Sequence, residues 1–409
     1  MAEAKLRRTL GLAECIFFGV GSILGAGIYA LIGKVAGHGE NMTWLAFLIA
    51  SITALFSAFS YAELTSAYPS AGGEFVFAKK AMGKKMGGVL GTMISFNGII
   101  SGATVSLGFA GYFSKLIDVP LLAAAIGIIL VIFAVNISGI KQSSVINIIF
   151  TIIEALGLLL VIYSAYTFIG KVNYVEMPSA GINGLLLASA LSFYAYIGFE
   201  DIIKLAEETK KPEQTIPKAL FSANAIVAVI YTIIAVCAVS VIPWSELANS
   251  ESPLADVVGS KLGQTGILII SFIALFSTSN TILSNMMSSS RVVLKMSDEI
   301  SFFKKLSYVS PKRKTPIAAL IFILITMILF AFIGKIETVA MIANFFIFFT
   351  FLMVNVSVII LRVKDKKLKR PFRIPLNIKN IPVISIMGVL MTAVLMGYTI
   401  YGLISNGIE

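Results

Sequence analysis

Charge is what this sequence is shortest of: Asp, Glu, Lys and Arg make up 13% of 409 residues, about half the share of a soluble domain. Cysteine is almost as scarce. Cys15 and Cys237 both fall inside apolar runs, which excludes a disulfide framework and reads as two free buried thiols. A single histidine, His38, leaves no His/Cys cluster and no Ser–His spacing, so neither a metal centre nor a nucleophile triad finds support. No polar stretch is long enough for an appended soluble domain. What fills the gap is apolar: 57% hydrophobic residues and a mean hydropathy of +0.93. Single soluble cores stop growing near ~250–300 residues, so no soluble fold of this length hides that much apolar surface. Disordered and collagen-like classes are excluded by the same composition. The chain reads as an all-α, polytopic integral membrane protein.

A helix needs about 20 apolar residues to cross a bilayer, and eleven runs qualify: 12–33, 43–67, 87–113, 120–138, 144–169, 184–205, 219–242, 266–290, 316–334, 338–361 and 381–403. The net charge of +11 invites a nucleic-acid reading, but its placement argues otherwise. With the N-terminus cytoplasmic, the outer loops hold only Lys34, Lys115, Lys171, Lys261 and Lys335 of the 32 Lys and Arg. That asymmetry is the positive-inside signal, and it predicts an outer C-terminus. The inner loops after runs 8 and 10 carry Lys304, Lys305, Lys312–Lys314 and the cations from Arg362 to Arg373, which suit orientation and anionic headgroups. MAEAKLRRTL leads into a run containing Glu14 with no small-residue cleavage site, so the first helix is expected to act as its own insertion signal. No nucleic-acid partner and no cofactor are expected.

Run 1 contains GVGSILGAGIYALIG. Gly21 and Gly25 form a GxxxG pair that suits close helix packing. The same glycines suit an unwound segment at Gly25-Ala26-Gly27, which membrane depth tolerates only beside protein or a wet cavity. Gly19-Val20-Gly21 follows no strand, so a dinucleotide loop is spurious. Run 6 reads LSFYAYIGFEDIIKLAEETKKPEQTIP, with aromatics around Gly198 and the acids Glu200 and Asp201 directly after it. At 1.5 Å per residue, Gly25 and the stretch 195–198 each lie about 20 Å into their runs. Two glycine weak points on oppositely directed helices, both near mid-membrane, is the pattern of an inverted-repeat transporter with discontinuous helices 1 and 6. Amides at a half-helix start suit a carboxylate, and the opposing carbonyls suit an ammonium.

Glu154 lies about 16 Å into run 5. An ionised carboxylate there costs at least ~2.5 kcal/mol, so it is neutral or compensated. It reads either as a proton carrier or cation ligand, or as a permanently protonated hydrogen-bond donor. Ser277-Thr278-Ser279-Asn280 sits at similar depth in run 8, where hydroxyls usually back-bond. The coincidence in depth points to an ion site.

These residues resemble the amino acid–polyamine–organocation permeases. The resemblance rests on Gly19 through Tyr29, on Ser60-Tyr61-Ala62-Glu63-Leu64, on Tyr68-Pro69-Ser70-Ala71-Gly72-Gly73-Glu74-Phe75, on Phe193 through Glu200 and Ala206-Glu207-Glu208-Thr209 to Ile216-Pro217, and on Arg370-Pro371-Phe372-Arg373-Ile374-Pro375. It implies a five-plus-five inverted repeat with residues 12–170 and 184–361 as repeats, 1–11 as a cytoplasmic segment, 362–380 as a basic loop and 381–409 as an extra helix. It implies alternating access in a cell membrane around an amino-acid site. The substrate carboxylate would meet Ser22, Gly25, Ala26 and Gly27, and the ammonium would meet carbonyls near Ile23 and from Tyr194 through Ala195 and Tyr196 to Gly198. Tyr194 or Phe199 would supply the lid, and Glu200, expected among the ion-coupling residues, matches a position holding an acid in several relatives. Members often have twelve spans, so eleven is a departure. Many sodium-independent members place a lysine on span 5 where Glu154 stands, so that lysine's mechanism does not transfer. Either Glu154 carries a proton, the reading slightly favoured, or it helps bind sodium with carbonyls of Gly21 and Leu24 and hydroxyls of Ser277 and Thr278. The expectation is import of small or neutral amino acids by symport. Exchange is the alternative, and a sensor is disfavoured because no output domain is visible. Tyr68–Gly83 is expected near the inner gate, with Glu207 and Glu208 pairing with inner cations.

Overall fold

In a computed structural model the described residues are 10–70, 73–137, 144–206, 209–299, 301–308, 310 and 316–406. Helix occupies each of the eleven apolar runs, but not as eleven uniform rods. Run 1 is divided into α1 (Leu12–Ile23) and α2 (Ala26–Gly39), followed by α3 (Thr43–Ala67). A short helix, α4 (Gly73–Met82), comes next, its Lys79 and Lys80 facing outward, and Gly83 at φ 93° turns the chain into α5 (Lys84–Phe113). Then come α6 (Leu121–Ile137) and α7 (Ser144–Ala165).

Run 6 begins as α8 (Gly181–Ser192) and continues as two tight 3₁₀ segments, Phe193–Tyr196 and Phe199–Leu205. Pro212, at the first helical position where no amide partner is needed, opens α9 (Pro212–Val241). A small outer helix, α10 (Trp244–Asn249), precedes α11 (Pro253–Glu299), which is interrupted at Gly263. The last elements are α12 (Ile317–Ala331), α13 (Ile336–Lys364), a two-stranded hairpin of β1 (Asn377–Ile378) and β2 (Ile381–Pro382), and α14 (Val383–Asn406).

Among the described residues, seven helical segments are long and apolar enough to cross a bilayer: Ala26–Ala67, which joins α2 and α3, Lys84–Phe113, Gly181–Leu205, Pro212–Val241, Pro253–Leu294, Ile336–Lys364 and Val383–Ser405. The other apolar helices, at 12–23, 121–137, 151–165 and 317–331, are shorter. Helix length alone supports seven of these segments as crossings and leaves the expected count of eleven open. The break after Ile23 divides run 1 into the short α1 and the start of the segment Ala26–Ala67.

The outside of the bundle is apolar. Phe17, Leu159, Val229, Phe272, Leu329 and Leu390 are all exposed, a surface that water would not tolerate over such an extent. Polar residues instead sit inside, where hydroxyls such as Thr53, Thr104, Ser189 and Thr350 bond to carbonyls one turn back in their own helices. The central helices pack α3 against α9, α1 against α9, α5 against α11 and α13 against α14. This places both interrupted runs, 1 and 6, inside the bundle.

Candidate functional site

The break in run 1 lies where its glycines predict it. Leu24 still donates to the Val20 carbonyl at 2.7 Å, but Gly25 leaves the helical conformation (φ −45°, ψ −162°) and the helix restarts at Ala26. The ends of two half-helices leave carbonyls and amides without intrahelical partners. Other elements take up part of them. The Tyr231 hydroxyl of α9 donates to the Ile23 carbonyl at 2.6 Å, and the Ala26 amide reaches Thr281 Oγ1 of α11 at 3.4 Å. The first turn of α2 directs its positive end into this gap.

In run 6, Ile197 is extended (ψ 134°) and Gly198 adopts φ 120°, a region that residues with a Cβ rarely enter. The Gly198 amide donates to Glu200 Oε2 at 2.9 Å, so the Glu200 carboxylate caps the second 3₁₀ segment. The two breaks touch each other. A Cβ added at Gly198 would lie 2.5 Å from the Ser22 carbonyl oxygen, and one at Gly27 would lie 2.7 Å from the Cα of Ala195. Backbones from the two halves of the chain meet there, and only glycine permits the approach. A Gly198→Ala substitution combines that clash with a backbone conformation costing about 1–3 kcal/mol. It is expected to abolish substrate uptake and lower thermal stability, which fluorescence-based unfolding of the purified protein would register.

The aromatic candidates differ in surroundings. Tyr194 donates to the Ser101 carbonyl of α5 at 2.9 Å. Tyr196 stacks edge-on against Tyr231 with centroids 5.3 Å apart, and its buried hydroxyl faces Ser51 without a full hydrogen bond. Phe199 is fully buried between Tyr61 and Phe351, at 5.7 and 5.1 Å, within an aromatic core. Of the two lid candidates, then, Phe199 is embedded in packing, while Tyr194 lies beside the contact between the breaks.

Glu154 is buried, and its Oε2 has no hydrogen-bond partner. Ser277 of α11 faces it, with a hydroxyl that also lacks a full hydrogen bond. Gly21 packs directly on Thr151, one turn before Glu154 on α7. Tyr29 of α2 donates to the Glu154 carbonyl at 3.0 Å and is in turn held by Tyr112, whose hydroxyl donates to the Tyr29 carbonyl at 2.8 Å. The structure thus gathers Gly21, Glu154 and Ser277. Thr278 turns its hydroxyl back to Ala274 and Leu275 (2.7 and 3.2 Å), and Leu24 keeps its amide within α1. Among the described residues no group of three His, Cys, Asp or Glu is placed to hold a metal ion.

Glu200 stands apart from Glu154. It belongs to a cluster with Asp201, Lys204 and Glu74, in which Lys204 pairs with Asp201 and the Tyr61 hydroxyl donates to Glu74 Oε1 at 3.1 Å. Burial pushes the Glu74 carboxyl above the ordinary carboxylate range, against the pull of the Lys204 ammonium. Glu74 thereby puts the motif after Tyr68 under the break in run 6. Glu207, Glu208, Ala71, Gly72 and Lys312–Lys314 lie outside the described residues.

Sequence reasoning missed three features. Thr281 and Tyr231 hold the first break; Thr281 lies one helical turn from Ser277, a spacing that could have drawn attention to it. The third is a buried ion-pair network. Arg362 grips Glu63 with two bonds of 2.5 Å, Arg370 Nε lies 3.2 Å from the same carboxylate, and the Ile374 amide donates to it at 2.9 Å. His38, assigned to a loop, instead closes α2 and bonds Glu337 at the start of α13 at 2.7 Å.

The sequence matches the amino acid permease family over residues 10–405. Among curated relatives, the branched-chain amino acid permease BcaP of Bacillus subtilis (strain 168) is 29% identical over 95% of this chain and 87% of its own. Cationic amino acid transporter 1 of Arabidopsis thaliana is 26% identical over 88% of this chain, which spans 63% of that protein's length. The methylthioribose transporter of Bacillus subtilis (strain 168) is 26% identical over 93% and 87%. These relatives are transporters, not enzymes. With two interrupted helices meeting inside an apolar bundle and a family match running nearly end to end, this multi-pass membrane protein belongs to the amino acid permease family.

Proposed function

We propose that this permease imports neutral amino acids by ion-coupled symport, with the contact between the two breaks as the substrate site. The observation that carries the reading is the meeting of Ser22 with Gly198 and of Gly27 with Ala195. The start of α2 lies against Ala195 there, and its amides together with carbonyls of 194–198 would suit the carboxylate and ammonium of one zwitterion. Substrate would compete with Tyr231 for the Ile23 carbonyl. Ser22, Gly25, Ala26 and Gly27 would take the carboxylate. Tyr194, Ala195, Tyr196 and Gly198 would line the ammonium side.

A neutral side chain fits better than a cationic one. Glu200 is directed to the Gly198 amide and Asp201 to Lys204, so neither acid is left to pair with a substrate cation. The name of the Bacillus branched-chain permease points the same way. Coupling is assigned to Glu154 as a proton carrier, because its carboxyl oxygen and the Ser277 hydroxyl are buried without full partners. Sodium held by Gly21, Leu24, Glu154, Ser277 and Thr278 is the second reading. All eleven apolar runs would cross a cell membrane, with 12–170 and 184–361 as inverted repeats, the N-terminus cytoplasmic and the C-terminus outside.

Uptake by the purified protein in proteoliposomes tests this. An inward proton gradient should drive accumulation of a branched-chain amino acid above the external concentration without sodium, while lysine is not concentrated. One-for-one trans-stimulation with no response to either gradient would instead establish exchange.

A further inference from the structure

The buried ion-pair network of Glu63, Arg362 and Arg370 holds the segment that follows α13 in place. Beyond Arg362 the chain leaves α13 and returns to α14 through the hairpin of β1 and β2, whose pairs are Asn377 with Pro382 and Ile378 with Ile381. The hairpin is tied down at both ends. Ile374, at its approach, donates its amide to Glu63, and Asn380, in its turn, bonds the Arg362 carbonyl at 2.8 Å and accepts from Arg373 at 2.8 Å. The backbone is also strained. Lys379 and Asn380 both have positive φ, as a two-residue hairpin turn demands, and so does Leu376 at φ 56°. A bulky residue there is a genuine outlier, held only because the surroundings over-determine it.

What this rigid, strained hairpin displays is two aliphatic side chains. Leu376 is 70% exposed and Ile378 is 68% exposed. Around them Lys364, Lys366, Lys367, Lys369, Arg373 and Lys379 are all exposed, with Asp365 the one acid in the stretch. Exposed aliphatic residues ringed by cations have the chemistry of a membrane interface, where apolar tips enter the acyl boundary and ammonium groups meet phosphates. The position fits, since the hairpin runs directly into α14 at Val383.

We infer that the 364–382 hairpin is an interfacial anchor that docks on anionic lipid headgroups. The inference rests on the reading that α13 and α14 cross the bilayer. Under the proposed orientation the leaflet is the cytoplasmic one. Each basic residue near an anionic surface contributes roughly a fivefold gain in association, and the pinned hairpin presents them without ordering a flexible loop. Because the hairpin is fixed to Glu63 of α3, the headgroups would also bear on the helix that packs against the second break.

The test uses full-length protein in proteoliposomes mixing phosphatidylcholine and phosphatidylglycerol, one of the two lipids brominated in its acyl chains. Trp44 and Trp244 are replaced by Phe, and an Ile378→Trp reporter is compared with a Leu390→Trp reporter on the exposed face of α14. The Ile378 reporter should be quenched at least about fivefold more strongly by brominated phosphatidylglycerol than by brominated phosphatidylcholine. Replacing Lys364, Lys366, Lys367 and Lys369 by Gln should remove that preference. Equal quenching by both lipids overturns the anionic docking. Quenching at 390 but not at 378 means that α14 crosses the membrane while the hairpin faces water or a protein, and overturns the anchor alone. Failure of quenching at both positions overturns the crossing itself, and the anchor with it.

Discussion

A Glu154→Gln permease should bind its amino acid normally and fail to concentrate it. Glutamine has nearly the shape of a protonated glutamate, so the packing of α7 on α1 survives. The bond from Tyr29 survives too, because it ends on the residue 154 carbonyl rather than on the side chain. What disappears is the ability to release a proton. If Glu154 is the carrier, the steady-state accumulation ratio under an inward proton gradient drops to about one, the value at which electrochemical work no longer reaches the substrate. Binding by isothermal titration should change by less than about tenfold, equivalent to ~1.4 kcal/mol. Counterflow exchange should persist, since an unchanging neutral side chain resembles one fixed protonation state. A variant that still concentrates substrate under a proton gradient would reduce Glu154 to a structural acid. Accumulation that depends on sodium in the parent protein, and is lost in the variant, would instead move the residue to the cation-ligand role.

Glu63→Ala should be the most destabilising single substitution outside the breaks. Arg362 and Glu63 are both about 1% exposed and share two short hydrogen bonds, with Arg370 and the Ile374 amide converging on the same carboxylate. Removing the acid leaves a guanidinium buried without its counter-ion, which typically costs 3–5 kcal/mol, roughly. The loss should appear as a lower unfolding temperature in detergent and as aggregation during purification. A Glu63→Leu, Arg362→Met double variant separates charge from shape. An apolar pair of similar volume is often close to neutral, so the double variant should recover much of the stability. Recovery should be incomplete because Arg370 and the Ile374 amide still lose an acceptor. A double variant no better than Glu63→Ala would mean that the carboxylate acts through Arg370 and the 370–375 segment, and that Arg362 is secondary.

The parts of the site that were legible beforehand share one property: each is a local violation of what a membrane helix prefers. Gly25 and Gly198 stand out as interruptions in apolar runs, and counting residues from the run ends places both near mid-depth. Glu154 stands out because a carboxyl in such a run is costly. The residues that escaped notice are locally unremarkable. Tyr231 is an ordinary aromatic in an apolar helix until its hydroxyl is seen on the Ile23 carbonyl, 208 positions away. Thr281 is one more hydroxyl in a Ser/Thr-rich helix until the Ala26 amide is seen to reach it. Phe199 and Tyr194 look equivalent in sequence, yet one is wedged among Tyr61 and Phe351 and the other reaches α5.

Composition and periodicity by themselves determined the membrane class, the helical content and the places where two helices break, because hydrocarbon leaves no freedom about backbone hydrogen bonding and punishes every polar residue within a run. Which groups meet was decided only by the three-dimensional packing. The carboxylate of Glu63 chose Arg362 and Arg370, Gly198 came to rest on Ser22, and Glu200 turned to its own backbone instead of toward Glu154. Such pairings depend on how the helices rotate and cross, and rotation is fixed by the sum of many weak side-chain contacts that no single stretch of sequence contains.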